Sequence, residues 1–356
     1  MLFGGRDIED ARDLAQFVID QLANPILFNG SLCRVGVSVG IATCPMAELD
    51  VDGVLIGADL AMYQAKQGGP SKVRIFDTSV KQAVKTQTEL TGMITDGLTR
   101  EEFVPHYQPQ FSTADMSVTG VEALLRWRDE YGQLRRASQF LDAAKGQSLI
   151  GALDRQIYER VSEDMNLLEQ RGSLPPKVSL NVGHERLLDP TLVSDMAALA
   201  RPQLRVAIEL LETLPLEDAD EQLATILRGL RDHDVEIEID RFGSDRASLA
   251  TLVAISPSTM KIGHKIVQRA PESAKMRTLI RAIVEIGHRF EVGVTAQGVS
   301  SQEQFDLVRK LGCGHAQGLW LGEPISRDQL STLLEERALL AATGTAAESR
   351  SAVQSN

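Results

Sequence analysis

Cysteine is scarce: only Cys33, Cys44 and Cys313 occur among 356 residues, and no two have CxxC spacing. That excludes a disulfide-built scaffold and argues against a thiolate zinc site. So few thiols fit a reducing, cytoplasmic setting. No run comes near the ~20 apolar residues of a membrane span. The opening MLFGGRDIEDARD lacks the basic start and apolar core of a secretory leader. Positive charge is short as well: 37 Lys and Arg stand against 49 Asp and Glu, a net −12. A general DNA-binding surface is therefore not expected, while a local pocket for a small phosphorylated ligand stays open. No P-loop, GxGxxG or HExxH pattern occurs. The six histidines lack ligand spacing and read as surface, loop or packing residues, His106 near the mouth of a pocket among them.

A prior of about 150 residues per domain makes two domains of this length. The first block reads α-β-β-α-β. Residues 8–24 carry a helical pattern; 25–28 and 33–43 read as strands around an Asn29-Gly30 turn; 53–67 read as a helix and 72–77 as a closing strand. Residues 78–100 read as a polar-faced connecting helix, and the small polar residues from about 342 as a disordered tail.

From residue 101 the pattern changes to eight strand-like runs: 103–111, 119–127, 177–183, 205–212, 235–241, 259–263, 291–297 and 316–321. Amphipathic stretches such as 219–232 and 273–289 separate most of them. Alternating β and α units imply a mostly parallel sheet, and eight of them fit a (β/α)8 barrel. The first two strands are joined by a short turn, which predicts an antiparallel pair.

Barrel chemistry sits at the C-terminal ends of strands. Those ends, or positions near them, carry Glu122, Asn181, Glu209, Asp240, Lys261, Gln297 and Gln317. Any one alone reads as a solvated edge or an ion pair. Together they place a polar residue on seven of the eight strands. Three carboxylates and an amide are hard oxygen donors suited to Mg²⁺ or Mn²⁺.

The same stretches resemble the EAL family of cyclic di-GMP phosphodiesterases over about 101–336. The resemblance rests on YQP (107–109), EALLRW (122–127), SLNVG (179–183), ELLET (209–213) and DRFGSDRASL (240–249). It continues through MKIG (260–263), TAQGVSS (295–301) and AQGLWLGEPIS (316–326), all in family order. Residues 1–77 resemble the second half of a GGDEF (diguanylate cyclase) domain through VGVSVGIAT (35–43) and ADLAMYQAK (58–66). That resemblance places the Gly-Gly-Asp-Glu-Phe turn before residue 1, so the chain is not expected to be a diguanylate cyclase. The implied layout is a GGDEF-like fragment over 1–77, a linker helix over 78–100, an EAL-type barrel over 101–336, and a helix end with its tail over 337–356.

The resemblance also implies roles. Glu122, Asn181, Glu209 and Asp240 would hold a first divalent cation, Mg²⁺ or Mn²⁺. Lys261 would orient the attacking water, and Gln317 matches a family glutamine. Gln108, Glu122, Leu124 and Arg126 would contact cyclic di-GMP. Glu212 would anchor the loop after Asp240.

Departures fall on the second cation. Arg241 stands where the family carries the second Asp of Asp-Asp-Phe-Gly, Gln297 where it carries Glu, and Gly263 where it carries Asp. The pocket is four charge units more positive than the family pattern, and a guanidinium repels a nearby cation strongly in a low-dielectric site. One cation site at most is expected. The loop Ser244–Ser248 also departs from the family, and Lys145 replaces a family Glu. Three readings follow: a catalytically impaired cyclic di-GMP receptor, with Arg241 itself meeting the phosphodiester; an active phosphodiesterase yielding the linear dinucleotide; or a non-binding scaffold for a protein partner. A homodimer through the barrel is compatible with each.

Overall fold

The computed structural model describes residues 8–23, 25–28, 31–33, 35–43, 51–67, 71–76, 78–145, 149–211, 221–243 and 249–339. The Asn29-Gly30 turn, Glu212, the Ser244–Ser248 loop and the tail from 342 lie outside them. The chain divides into two compact units, Met1–Met93 and Ile94–Asn356.

The first unit opens with helix α1 (Ile8–Leu22), whose Glu9 and Asp10 sit favourably at the positive helix start. Strands β1 (Ile26–Phe28) and β2 (Ser31–Cys33) form an antiparallel hairpin. Strand β3 (Val39–Ile41) pairs in parallel with β4 (Val73–Ile75), joined through helix α2 (Val51–Gln67). The single strand expected over 33–43 is thus two strands in two different sheets. The physical reason is that its ends find different partners: Cys33 pairs with Ile26, and Val39 with Val73. The second segment depends on Gly40, where a Cβ would lie 2.0 Å from the Ala58 carbonyl oxygen. Only glycine lets β3 approach the α2 backbone that closely. Helix α3 (Thr78–Thr99) follows.

The second unit is a closed barrel. Its strands are β5 (Phe103–Ser112), β6 (Val118–Arg128), β8 (Lys177–Asn181), β9 (Arg205–Leu211), β10 (Glu236–Phe242), β11 (Thr259–Ile262), β12 (Gly293–Gln297) and β13 (His315–Gln317). A short strand β7 (Leu134–Arg136) extends β6 outside the ring. The sheet order is β5-β13-β12-β11-β10-β9-β8-β6, and β5 pairing with β6 closes the circle. The eight strands coincide with the eight expected runs, the last being shorter. The pair β5–β6 is antiparallel, as the short turn predicts, and β5 is antiparallel to β13 as well.

Strand β5 carries Pro105 and Pro109, residues that cannot donate to a ladder. Tyr107 donates its N–H to the Ile325 carbonyl, away from β6. N–H directions alternate along a strand, so both prolines fall on that same outward side. The ladder with β6 therefore loses nothing. On the other side β5 meets β13 at only two residue pairs, His315 with Ser112 and Ala316 with Phe111.

Helices α4 (Leu141–Lys145), α5 (Ile150–Gln170), α6 (His184–Leu187), α7 (Leu192–Leu199), α8 (Glu221–Asp232), α9 (Leu249–Ile255), α10 (His264–Arg269), α11 (Ala274–Phe290) and α12 (Gln302–Lys310) connect the strands. Residues 327–339 form a further helix. Their apolar faces follow the helical period: Leu153, Ile157, Val161, Met165 and Leu168 of α5 are buried. Each buried side chain of this size stabilises by roughly 1.5–3 kcal/mol relative to exposure. Among the described residues no helix is long and apolar enough to cross a membrane.

Candidate functional site

A cavity of about 860 Å³ opens at the C-terminal ends of the barrel strands. Buried acids line its interior, and Arg126, Arg136 and Lys145 line its mouth. Strand alternation explains the choice of residues. Asn181, Gln297 and Gln317 are the last residues of β8, β12 and β13. Glu122 and Glu209 share the inward-facing parity on their own strands.

Lys261, at the third position of β11, is fully buried. Its ammonium binds Glu209 Oε1 and lies 3.3 Å from Glu122 Oε2 and 3.4 Å from Glu238 Oε2. Glu122 also accepts hydrogen bonds from Asn181 Nδ2 at 3.0 Å and Gln317 Nε2 at 2.8 Å. Gln317 Nε2 donates in addition to Gln108 Oε1 at 3.0 Å. Burial pushes the Glu122 carboxyl up, but Lys261 and these hydrogen bonds outweigh it and hold the group below its usual range. Burial and the neighbouring Glu122 push Glu209 well above the usual range. Burial opposes the charge on Lys261, and the three carboxylates overcome it, so the amine stays protonated.

Asp240 and Arg241 are consecutive on β10, yet both line the cavity. A regular strand would send them to opposite faces. Here the β10–β11 register shifts between Ile239 and Phe242, and Arg241 has φ 59°. Such a bulge re-aims side chains at a barrel rim. Arg241 Nε lies 3.4 Å from Asp240 Oδ2, and the guanidinium is exposed. Burial and Glu122 raise Asp240, while a hydrogen bond with Gln297 opposes the shift. Gly263 caps the start of α10 with φ −59°.

The four residues implied as cation ligands, Glu122, Asn181, Glu209 and Asp240, all line this one cavity. Two of their buried oxygens, Glu209 Oε2 and Asp240 Oδ1, have no hydrogen-bond partner. Buried acceptors left open in this way fit an oxygen-ligated divalent cation in donor chemistry. Among the described residues, however, no three His, Cys, Asp or Glu side chains are grouped as a ready ligand set. The Lys261 ammonium is bound by both Glu122 and Glu209.

Gln108, Leu124 and Arg126 also line the cavity. Gln108 donates to the Gly322 carbonyl at 3.0 Å, and Arg126 to the Leu125 carbonyl at 2.8 Å. Lys261 and Gly263 do not line it. Lys145 does, and pairs with Asp142 at 3.2 Å. His106 and His264 line it as well, whereas Cys313 is core.

Three contributors were not singled out in the sequence. Glu238 and Lys177 form a buried ion pair under Lys261. The run EIEID placed acids at 236, 238 and 240 on one strand face, and that period of two was the available signal. Asp154 of α5 lines the cavity with a buried, unpartnered Oδ2. Burial raises it to about 6, against a smaller opposing pull from Arg186. A raised acid stabilises the fold below its unfolded pKa and loses that contribution as pH rises through about 6. Asp154→Asn is therefore expected to stabilise the chain at pH 7 by on the order of 2 kcal/mol. It should also flatten stability between about pH 4 and 6. Urea unfolding across that range checks both.

Residues 91–324 match the EAL domain family. The chain belongs to the EAL domain family. The EAL motif itself is Glu122-Ala123-Leu124, with its Glu in the Lys261 cluster. The chain is 29% identical over 334 residues, 93% of its length, to the bifunctional diguanylate cyclase/cyclic di-GMP phosphodiesterase MucR of Pseudomonas aeruginosa. It is 26% identical over 91% of its length to the cyclic di-GMP phosphodiesterase NbdA of the same organism. It spans 49% of MucR and 42% of NbdA, less than half of each. The EAL barrel is similar to the MucR phosphodiesterase solved with c-di-GMP: 29% identity, TM-score 0.62, covering 68% of this chain and 99% of that one.

Proposed function

We propose that this EAL chain binds cyclic di-GMP in the barrel cavity and hydrolyses it slowly or not at all, acting as a receptor in second-messenger signalling. The carrying observation is Arg241, whose guanidinium stands 3.4 Å from Asp240 in the cavity lining. A fixed positive charge there opposes a second divalent cation and favours a phosphodiester anion. Arg126 supplies a second planar donor to phosphate, and Leu124 an apolar wall.

One Mg²⁺ or Mn²⁺ held by Glu122, Asn181, Glu209 and Asp240 would polarise a phosphodiester oxygen. Gln317 and Gln108 keep Glu122 oriented through their hydrogen bonds. Residues 1–77 are read as part of a GGDEF domain, 78–100 as the linker and 101–336 as the barrel. The match to MucR supports this, since it runs well beyond 91–324.

A second reading, an active phosphodiesterase, is favoured by the full retention of the first oxygen-donor set. Calorimetric titration with cyclic di-GMP in Mg²⁺ buffer, with chromatography of the products, separates the two. Saturable heat at about micromolar affinity (about −8 kcal/mol) without linear dinucleotide is the expected result. Accumulating dinucleotide would establish the enzyme instead. No heat from a folded chain would leave the scaffold.

A further inference from the structure

Beneath the cavity lies an ion cluster that the functional reading does not use. Glu238, on the inner face of β10, is fully buried. Its Oε1 is bound by Lys177 Nζ, from the first residue of β8. Its Oε2 accepts from Ser179 Oγ at 3.3 Å and lies 3.4 Å from Lys261 Nζ. Space for Lys177 comes from Gly120, where a Cβ would stand 3.0 Å from Lys177 Cβ and 3.1 Å from its Cε. Glu122 and Glu209, the other two partners of Lys261, line the cavity; Glu238 does not.

A divalent cation treats these partners differently. Held by Glu122 and Glu209, it takes their charge and repels the ammonium. Glu238 is out of the cavity's reach and keeps its charge for Lys261. We propose that Glu238, clamped by Lys177 and Ser179, is a positioning residue that retains Lys261 below the cavity when a cation takes Glu122 and Glu209. The inference rests on the single-cation reading above. Without Glu238 the ammonium has only the cavity acids to hold it, and it competes with the cation for them.

The test uses the full chain and Mg²⁺ alone, followed by calorimetry. Glu238→Gln is expected to weaken Mg²⁺ roughly 10–100-fold, the range for losing a group that orients metal ligands. Removing a negative charge also weakens a nearby cation through space. The deciding variant is therefore Lys177→Met/Glu238→Gln, which leaves the net charge unchanged. It should stay weak, and a return to wild-type affinity would overturn the proposal. Glu238→Asp keeps the charge but withdraws it from Lys261, so it should fall between wild type and Gln. It also serves if the Gln variant does not fold, and wild-type affinity in it would count against the proposal.

A second arm needs no cation. In lysine-labelled Glu122→Gln/Glu209→Gln protein, the Lys261 ammonium protons should still exchange slowly by ¹⁵N NMR. Adding Glu238→Gln should abolish that signal. Its loss while Glu238 is present would overturn the proposal. A wild-type chain that takes up no Mg²⁺ sinks the functional reading, while this arm still decides whether Glu238 holds Lys261.

Discussion

Lys261→Met is expected to lower the unfolding free energy by about 3–5 kcal/mol at pH 7 in metal-free buffer, the cost of removing one partner from a buried ionic group. Methionine fills much of the space, so the loss reads charge rather than volume. Glu122, Glu209 and Glu238 then face one another with no ammonium between them. The deficit should shrink as pH falls toward about 5, because protonating a carboxylate removes the repulsion. Millimolar Mg²⁺ should restore part of it by supplying the missing positive charge. Urea unfolding of wild type and variant, with and without Mg²⁺, reads all three effects. A loss under about 1 kcal/mol would put Lys261 in the class of surface ion pairs and remove the basis for the cluster.

Arg241→Asp/Gly263→Asp/Gln297→Glu is expected to raise cyclic di-GMP hydrolysis by at least about 10³-fold. Single electrostatic contributors to a transition state are typically worth 10²–10³. The backbone accommodates each change. Asp tolerates the left-handed φ 59° of position 241 better than most residues. Position 263 has φ −59° at the start of α10, where Asp is a favoured cap. Glu is nearly isosteric with Gln297; it gives up the amide hydrogen bond to Asp240 and sets a second carboxylate beside it, a pair that a cation would bridge. The combined change adds four units of negative charge. A triple variant that takes up the metal and remains inert would count against charge at these three positions as the determinant of activity, the loop after Gly243 being the next place to look. Dinucleotide production by chromatography is the measurement.

Much of the barrel was legible because its signal is local. Each strand is a short apolar run, and each helix between strands carries its stripe at helical spacing. The antiparallel start followed from a short connection. Legibility failed where the outcome depends on a partner distant in sequence. Whether 33–43 is one strand or two was settled by Ile26 and Val73. The cavity residues were legible because polar side chains interrupt apolar strands. The layer under them was not. Glu238 was not singled out, and its burial follows from Lys177 and Lys261 meeting it across the barrel. Arg241 was legible as a charge. Its presence in the cavity beside Asp240 required the bulge, which no residue of DRF announces.

The thin backbone seam between β5 and β13 has a consequence for how freely this site can change. Main-chain bonding there is sparse, and side chains span the same gap. Gln317 donates to Gln108, and Gln110 donates to Gln317 at 3.4 Å. Gln108 and Gln317, which line the cavity, are therefore also rivets of the cylinder wall. Replacing Gln108 or Gln317 removes a side-chain bond across the joint that closes it. Gln297 sits beside that joint, as the ladder partner of Gln317. Closure of the cylinder and the orientation of Glu122 are thus drawn from the same few amides.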